Sequence, residues 1–269
     1  MLTLLFMVCI HSSLLLSTPP GSGTYISAHR GDVAQAPENT LAAIRSAVEK
    51  GAHQIELDVH ITCDGHLVLM HDHTVDRSTD GNGAVPELDF ATVRALDAGS
   101  WFAPEFTGER VPTLREALEA IPKPILVNVH LRNHPGIAEK SAALIAEMDR
   151  LDQAFLACTL AQAEAARTVA PDIMICNMDR QAGDRDAYIT MTIEAKCDFI
   201  QLHHNQGLEG LEDDVARLHE AGVYVNWFGA EDPEVMRILA TAGVDYILTD
   251  DLDLALETLH GQGTVSAEQ

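Results

Sequence analysis

Side chains able to do chemistry crowd the stretch from Ala28 to Asp72, where residues 28–40 read AHRGDVAQAPENT and residues 54–72 read QIELDVHITCDGHLVLMHD. Glu56 and Asp58 stand two residues apart in a β-favouring run, and alternation along a strand puts both carboxylates on one face. Acids side by side repel unless a cation lies between them. An arginine could neutralise one, or the strand edge could be solvated. With His29, Arg30 and His71 at neighbouring strand ends, a divalent cation on hard oxygen ligands is the stronger reading. Farther along, Asn128, His130 and Arg132 alternate with Val127, Val129 and Leu131, so three more polar groups share a face.

Positioning these groups takes strands that deliver their C-terminal ends to one rim. Thr24 to Ala28 is a short β-favouring run, and after a loop the apolar-periodic segment from Thr40 to Val48, stopped by Gly51, predicts a helix. Gln54 to Ile61 is the next strand and Leu67 to Met70 a further apolar segment. Beyond Thr113 the chain alternates. Strands are expected at Ile125 to His130, Phe155 to Cys158, Ile173 to Cys176, Phe199 to Leu202, Val223 to Asn226 and Tyr246 to Thr249. Helices are expected near 137–150, 160–169, 186–196, 211–221, 234–242 and 252–259. Eight such units predict an α/β fold, a closed (β/α)8 TIM barrel spanning about residues 23–262, with a small insertion after the second strand at about 72–112. In that insertion Asp80 to Gly83 reads as a tight turn, and Trp101, Phe102 and Phe106 either shape the mouth of the site or plug the excursion onto the barrel.

The motif set resembles that of the glycerophosphodiester phosphodiesterase family, short-insertion bacterial type. Its members carry HRG, PENT, E-x-D, and HD followed by an arginine. Here these are His29 to Gly31, Pro37 to Thr40, Glu56 and Asp58, His71 and Asp72, and Arg77. The resemblance runs from about Thr24 to about Leu259 and implies metal-dependent hydrolysis of glycerophosphodiesters to glycerol 3-phosphate and an alcohol. His29 and His71 would be general acid and base, in either order, and Arg30 and Arg132 would meet the phosphate. The attacking oxygen would be the glycerol 2-hydroxyl or a metal-bound water. Relatives have E-x-K where this chain has His130 and Arg132. Arginine keeps the positive charge and adds a fork suited to phosphate. Histidine would make the metal set Glu56, Asp58 and His130, which moves the preference from magnesium or calcium toward manganese, cobalt or zinc; alternatively His130 is no ligand and the metal binds weakly. His203, sharing a face with Gln201, and Trp227, in a region where relatives often have tryptophan, are candidate pocket walls beside Trp101. Asp250 and Asp251 read as helix N-terminal caps.

A net charge of −24 argues against nucleic acid and anionic membrane surfaces as partners, since the long-range field repels polyanions. A small phosphodiester remains admissible where a metal and arginines reverse the local potential. Residues 1–16 are apolar and uncharged, and 17–23 are rich in small residues. The leader reads as an export signal, slightly favoured over a cytoplasmic location although it lacks a basic start, or else as a disordered or misassigned beginning. It is short for a membrane span, so no stable anchor is expected. Cys63, Cys158, Cys176 and Cys197 show no zinc or disulfide spacing; Cys158 and Cys176 read as buried thiols. Two other functions remain open. A lysophospholipase D would need an apolar channel near Trp101 and Trp227, and a noncatalytic phosphate-ester binder would have a degraded metal site. Oligomeric state is not written in the pattern.

Overall fold

The computed structural model describes residues 23–180 and 183–261; the leader and the residues from 262 onward, the tail from 263 included, lie outside the described residues. Nine strands form one sheet: β1 Tyr25–Ala28, β2 Gln54–Ile61, β3 Leu67–Leu69, β4 Leu126–Leu131, β5 Ala154–Cys158, β6 Met174–Asn177, β7 Phe199–His203, β8 Tyr224–Phe228 and β9 Tyr246–Thr249. All but β3 pair in parallel, and β1 bonds to both β2 and β9, so the sheet closes into the expected eight-stranded barrel. β3 folds back antiparallel on β2. The α-helices among the described residues are α1 Leu41–Lys50, α2 Phe90–Ala95, α3 Leu114–Ala120, α4 Ile137–Glu147, α5 Leu160–Val169, α6 Arg185–Glu194, α7 Leu211–Glu220, α8 Pro233–Thr241 and α9 Leu252–His260. None is long and apolar enough to cross a membrane.

Each barrel strand is buried on both faces, and the two faces differ in chemistry. Along β2, Ile55, Leu57 and Val59 join the layer beneath the helices, while Gln54, Glu56, Asp58 and His60 alternate with them and are buried as well. At the N-terminal ends of the strands the interior is filled by Phe155, Met174, Phe199 and Tyr246, with Phe155 and Phe199 stacked at 4.1 Å between centroids. Burying each large apolar side chain contributes about 1.5–3 kcal/mol. That plug leaves the opposite end of the barrel to polar groups.

Local signals place the helices well. Thr40 caps α1, its hydroxyl accepting from the Ala43 amide, and Gly51 ends it in the left-handed conformation. Thr113 and Thr159 form capping boxes with Glu116 and Gln162 on α3 and α5. Between β1 and α1 the backbone is tight: Arg30 has φ 58° and Gly31 φ 85°. A Cβ on Gly31 would lie 2.7 Å from backbone and side-chain carbon of Ala43, which belongs to α1. Gly31→Ala is therefore expected to destabilise the fold by about 2–3 kcal/mol and to displace the loop carrying His29 and Arg30. A thermal melt paired with kcat measurement checks this; an unshifted melt would remove the argument.

The insertion has a small core of its own, built from Val75, Val85, Val93, Ala98 and Val111 against Val68 and Met70 at β3. Arg94 pins it to α3 through both Glu116 oxygens. Trp101 is 40% exposed, its indole N–H donates to the Ala98 carbonyl, and its ring meets Phe102 edge-on. Those contacts stay within the insertion.

Candidate active site

Glu56 and Asp58 do share the inner face of β2, and parallel register sets Asp58 beside His130 of β4. His130 Nδ1 lies 3.5 Å from Glu56 Oε1 and 3.3 Å from Asp58 Oδ1. The three side chains offer donor atoms all within 4.8 Å of one another, which makes them a candidate metal cluster among the described residues. Four-coordinate ions with ligands near 2.0–2.1 Å place neighbouring donors about 3.4 Å apart, so this spacing fits an ion. Two carboxylates and one imidazole suit manganese, cobalt or zinc.

The chain's own cations surround the same acids. Arg132 Nη2 donates to Asp58 Oδ1 through a short contact, and Arg30 Nε lies 3.3 Å from Oδ2. Asn39 clamps Asp58 twice: its Nδ2 donates to Oδ2 at 2.9 Å and its Oδ1 accepts the Asp58 amide at 3.0 Å. Burial opposes the charge of Asp58, yet the hydrogen bond from His130 and the charges of Arg132 and Arg30 hold its carboxyl well below the usual carboxylate range. His130 responds in the opposite sense. Burial disfavours its protonated form, but the Asp58 and Glu56 carboxylates raise its pKa above the ordinary value.

Both candidate catalytic histidines are anchored alike. Asp250 Oδ1 is 2.6 Å from His29 Nδ1, and Asp72 Oδ1 is 2.6 Å from His71 Nδ1. Each ring keeps Nε2 for other work, and that of His29 lies 4.0 Å from Glu56. Arg77 donates to both Asp72 and Glu38, and Glu38 accepts from Arg30, so one ionic chain runs from the His71–Asp72 pair to Arg30, the residue after His29. Asp72 is held well below the usual carboxylate range, mainly by the Arg77 hydrogen bond and also by that of His71.

Two sequence expectations are corrected here. Asp251 caps α9, but Asp250 does not; it binds His29 at the end of the adjacent strand β1. Trp227 is 1% exposed and packs in the layer between barrel and helices with Val225 and Ile247, because position 227 falls on the helix-facing side of β8. Its neighbour Phe228 takes the inner face, with its ring 4.9 Å from His29 and 5.4 Å from His203. His203 thus borders the same mouth across Phe228. Glu38 and Asn39, which the sequence offered only as part of the Pro37 to Thr40 motif, hold Arg30 with Arg77 and Asp58 respectively.

The glycerophosphoryl diester phosphodiesterase family profile matches residues 29–254, which takes in every one of these groups. The chain belongs to this family. A glycerophosphodiester phosphodiesterase of Caldanaerobacter subterraneus subsp. tengcongensis is 34% identical over 89% of this chain and 99% of its own length. Among solved structures, a glycerophosphodiester phosphodiesterase of Agrobacterium tumefaciens superposes with a TM-score of 0.75 at 31% identity, covering 86% of this chain and 98% of the other. An Oleispira antarctica phosphodiesterase, solved in complex with the product sn-glycerol-3-phosphate, has a TM-score of 0.73 at 26% identity, covering 88% and 96%. Family membership makes the chain a phosphodiester hydrolase whose site stands at the C-terminal ends of the barrel strands.

Asp250 earns a separate prediction. Burial alone would lower the pKa of His29, but the Asp250 hydrogen bond and the Glu56 charge raise it above the ordinary value. Asp250→Asn removes the larger of those two supports, so the pKa falls. The His29-dependent limb of the pH–rate profile is then expected to move to lower pH, whether His29 serves as acid or as base. An unmoved limb would reduce Asp250 to a surface contact.

Proposed function

We propose that this chain hydrolyses glycerophosphodiesters to glycerol 3-phosphate and an alcohol, with His29 and His71 as the acid–base pair. The observation that carries the reading is the pair of imidazoles, each tied at Nδ1 to a carboxylate, beside Glu56, Asp58 and His130. A phosphodiester needs its negative oxygens neutralised, its attacking oxygen deprotonated and its departing alkoxide protonated. Nε2 of one histidine takes the proton from the attacking hydroxyl or water, and Nε2 of the other gives one to the leaving oxygen. Neutral imidazole and imidazolium interconvert near working pH, so both roles are available to this residue type. Arg30 and Arg132 supply fixed positive charge at the phosphate. Glu56, Asp58 and His130 would hold a divalent ion, which when bound adds charge to stabilise the phosphoryl oxygens. The product seen with the Oleispira relative supports glycerol 3-phosphate as the shared product class. A lysolipid-sized apolar channel finds no support from Trp101 and Trp227, which lie in the insertion and in the helix-facing layer.

The test is hydrolysis of glycerophosphocholine by chelator-stripped protein given calcium, magnesium, manganese, cobalt or zinc one at a time. Activity is expected with the transition metals, since His130 supplies a nitrogen where an oxygen ligand is usual. Restoration by calcium or magnesium alone would make His130 a bystander, and silence with every ion would sink the reading.

A further inference from the structure

Three histidines that the proposed reaction does not use meet on the rim of the barrel. His60 is the next residue after Asp58 on the inner face of β2, His134 lies in the loop after β4, and His73 follows the His71–Asp72 pair beyond β3. Since β2 pairs with β3 on one side and β4 on the other, the loops carrying His73 and His134 are delivered beside His60. His60 Nδ1 stands 3.1 Å from His134 Nε2. Ring centroids are 5.2 Å apart for His60 and His134, 5.9 Å for His73 and His134, and 6.3 Å for His60 and His73.

Around a tetrahedral ion with metal–nitrogen bonds of about 2.0–2.1 Å, imidazole centroids sit roughly 5–5.5 Å apart and ligand nitrogens about 3.4 Å apart. The His60–His134 pair already has that form. His73 is exposed on its loop; its nitrogens stand outside ligand reach of the pair here, and a change of rotamer would bring one in to complete the triangle. His60 is 2% exposed and its Nε2 is buried without a hydrogen-bond partner, an arrangement that costs free energy in the resting protein. With an ion on Nδ1, the ring proton is confined to Nε2.

We propose that His60, His134 and His73 form a second metal site, distinct from Glu56, Asp58 and His130, that takes a borderline transition-metal ion such as zinc, cobalt or nickel. An all-imidazole donor set selects these ions over magnesium and calcium. The ion would clip the loop carrying His71 and Asp72 to the loop after β4, close to Arg132. This inference does not rest on the reaction proposed above; it stands on the three rings alone.

Cobalt(II) titration of the chelator-stripped full chain, followed by calorimetry and by visible ligand-field absorption, tests it. Wild type is expected to bind a second equivalent beyond that of the carboxylate cluster. Glu56→Gln should keep this second equivalent, whereas His134→Gln and His73→Gln should each weaken it by about tenfold or more. His73 is exposed, so its variant folds irrespective of the metal, and unchanged far-UV circular dichroism verifies this for both. A single equivalent in wild type that Glu56→Gln abolishes overturns the proposal. So does a second equivalent that survives either histidine substitution at full affinity.

Discussion

Alanine at His29 or His71 is expected to lower kcat for glycerophosphocholine by about 10²–10⁴-fold, while the melting transition stays close to wild type. Each ring's anchor is partly solvated. Asp250 is exposed, and Asp72 retains two bonds from Arg77 when His71 is gone. Little packing is therefore lost with either ring. His29 contributes more to the fold, because it is nearly buried against Phe228, and a modest drop in its melting temperature is consistent with the assignment. Acid and base act in one cycle, so the double variant should be scarcely slower than the worse single one. Rates that multiply would mean that the two histidines serve independent steps. Near-normal turnover in either single variant would sink the acid–base assignment altogether.

How far the site could be read beforehand depended on whether the relevant rule was local. Period-two alternation sufficed to put Glu56 with Asp58, and Asn128 with His130 and Arg132, because a strand admits no other arrangement of those residues. The same rule contained the correction at β8. Asn226 is buried on the inner face, so Phe228 must join it and Trp227 must turn to the helices. A preference for tryptophan as a wall residue had outweighed that parity. Asp250 was not recoverable from neighbours in sequence, since its partner His29 is 221 residues away and the two meet only when β1 and β9 close the barrel. Asn39 gave one hint that went unused. It stands at φ 56°, a backbone conformation that asparagine tolerates better than most, and this turns its amide to clamp Asp58. What remained hidden was the ionic chain through Glu38 and Arg77, which needs side-chain positions from three separate segments.

Asp58→Asn is expected to remove turnover and fold stability together, whereas Glu56→Gln should remove turnover with little loss of stability. Asp58 is 1% exposed and answers three cationic side chains: Arg132, His130 and Arg30. Its amide replacement would turn two N–H donors toward groups that themselves donate, leaving partly buried guanidinium groups without a counter-charge. Breaking such a pair costs about 3–5 kcal/mol, and the lower end applies here because both arginines keep some solvent and Arg30 keeps Glu38. Relief of repulsion between Glu56 and Asp58 works the other way, but one acid neighbour is outweighed by three cations. In a domain of this size the loss corresponds to a fall of roughly 6–12 °C in melting temperature. Glu56 instead accepts the Arg30 amide at 3.1 Å, a bond that a glutamine carbonyl can still accept. The carboxyl of Asp58 lies below its unfolded value of 3.8, so its stabilisation is present above that pH and is lost as the pH falls through the folded value. The gap between the wild-type and Asp58→Asn melts should accordingly hold from neutral pH down to the unfolded value and begin to narrow below it. Equal melting losses in the two variants, or a more stable Asp58→Asn protein, would show that the cations do not depend on Asp58.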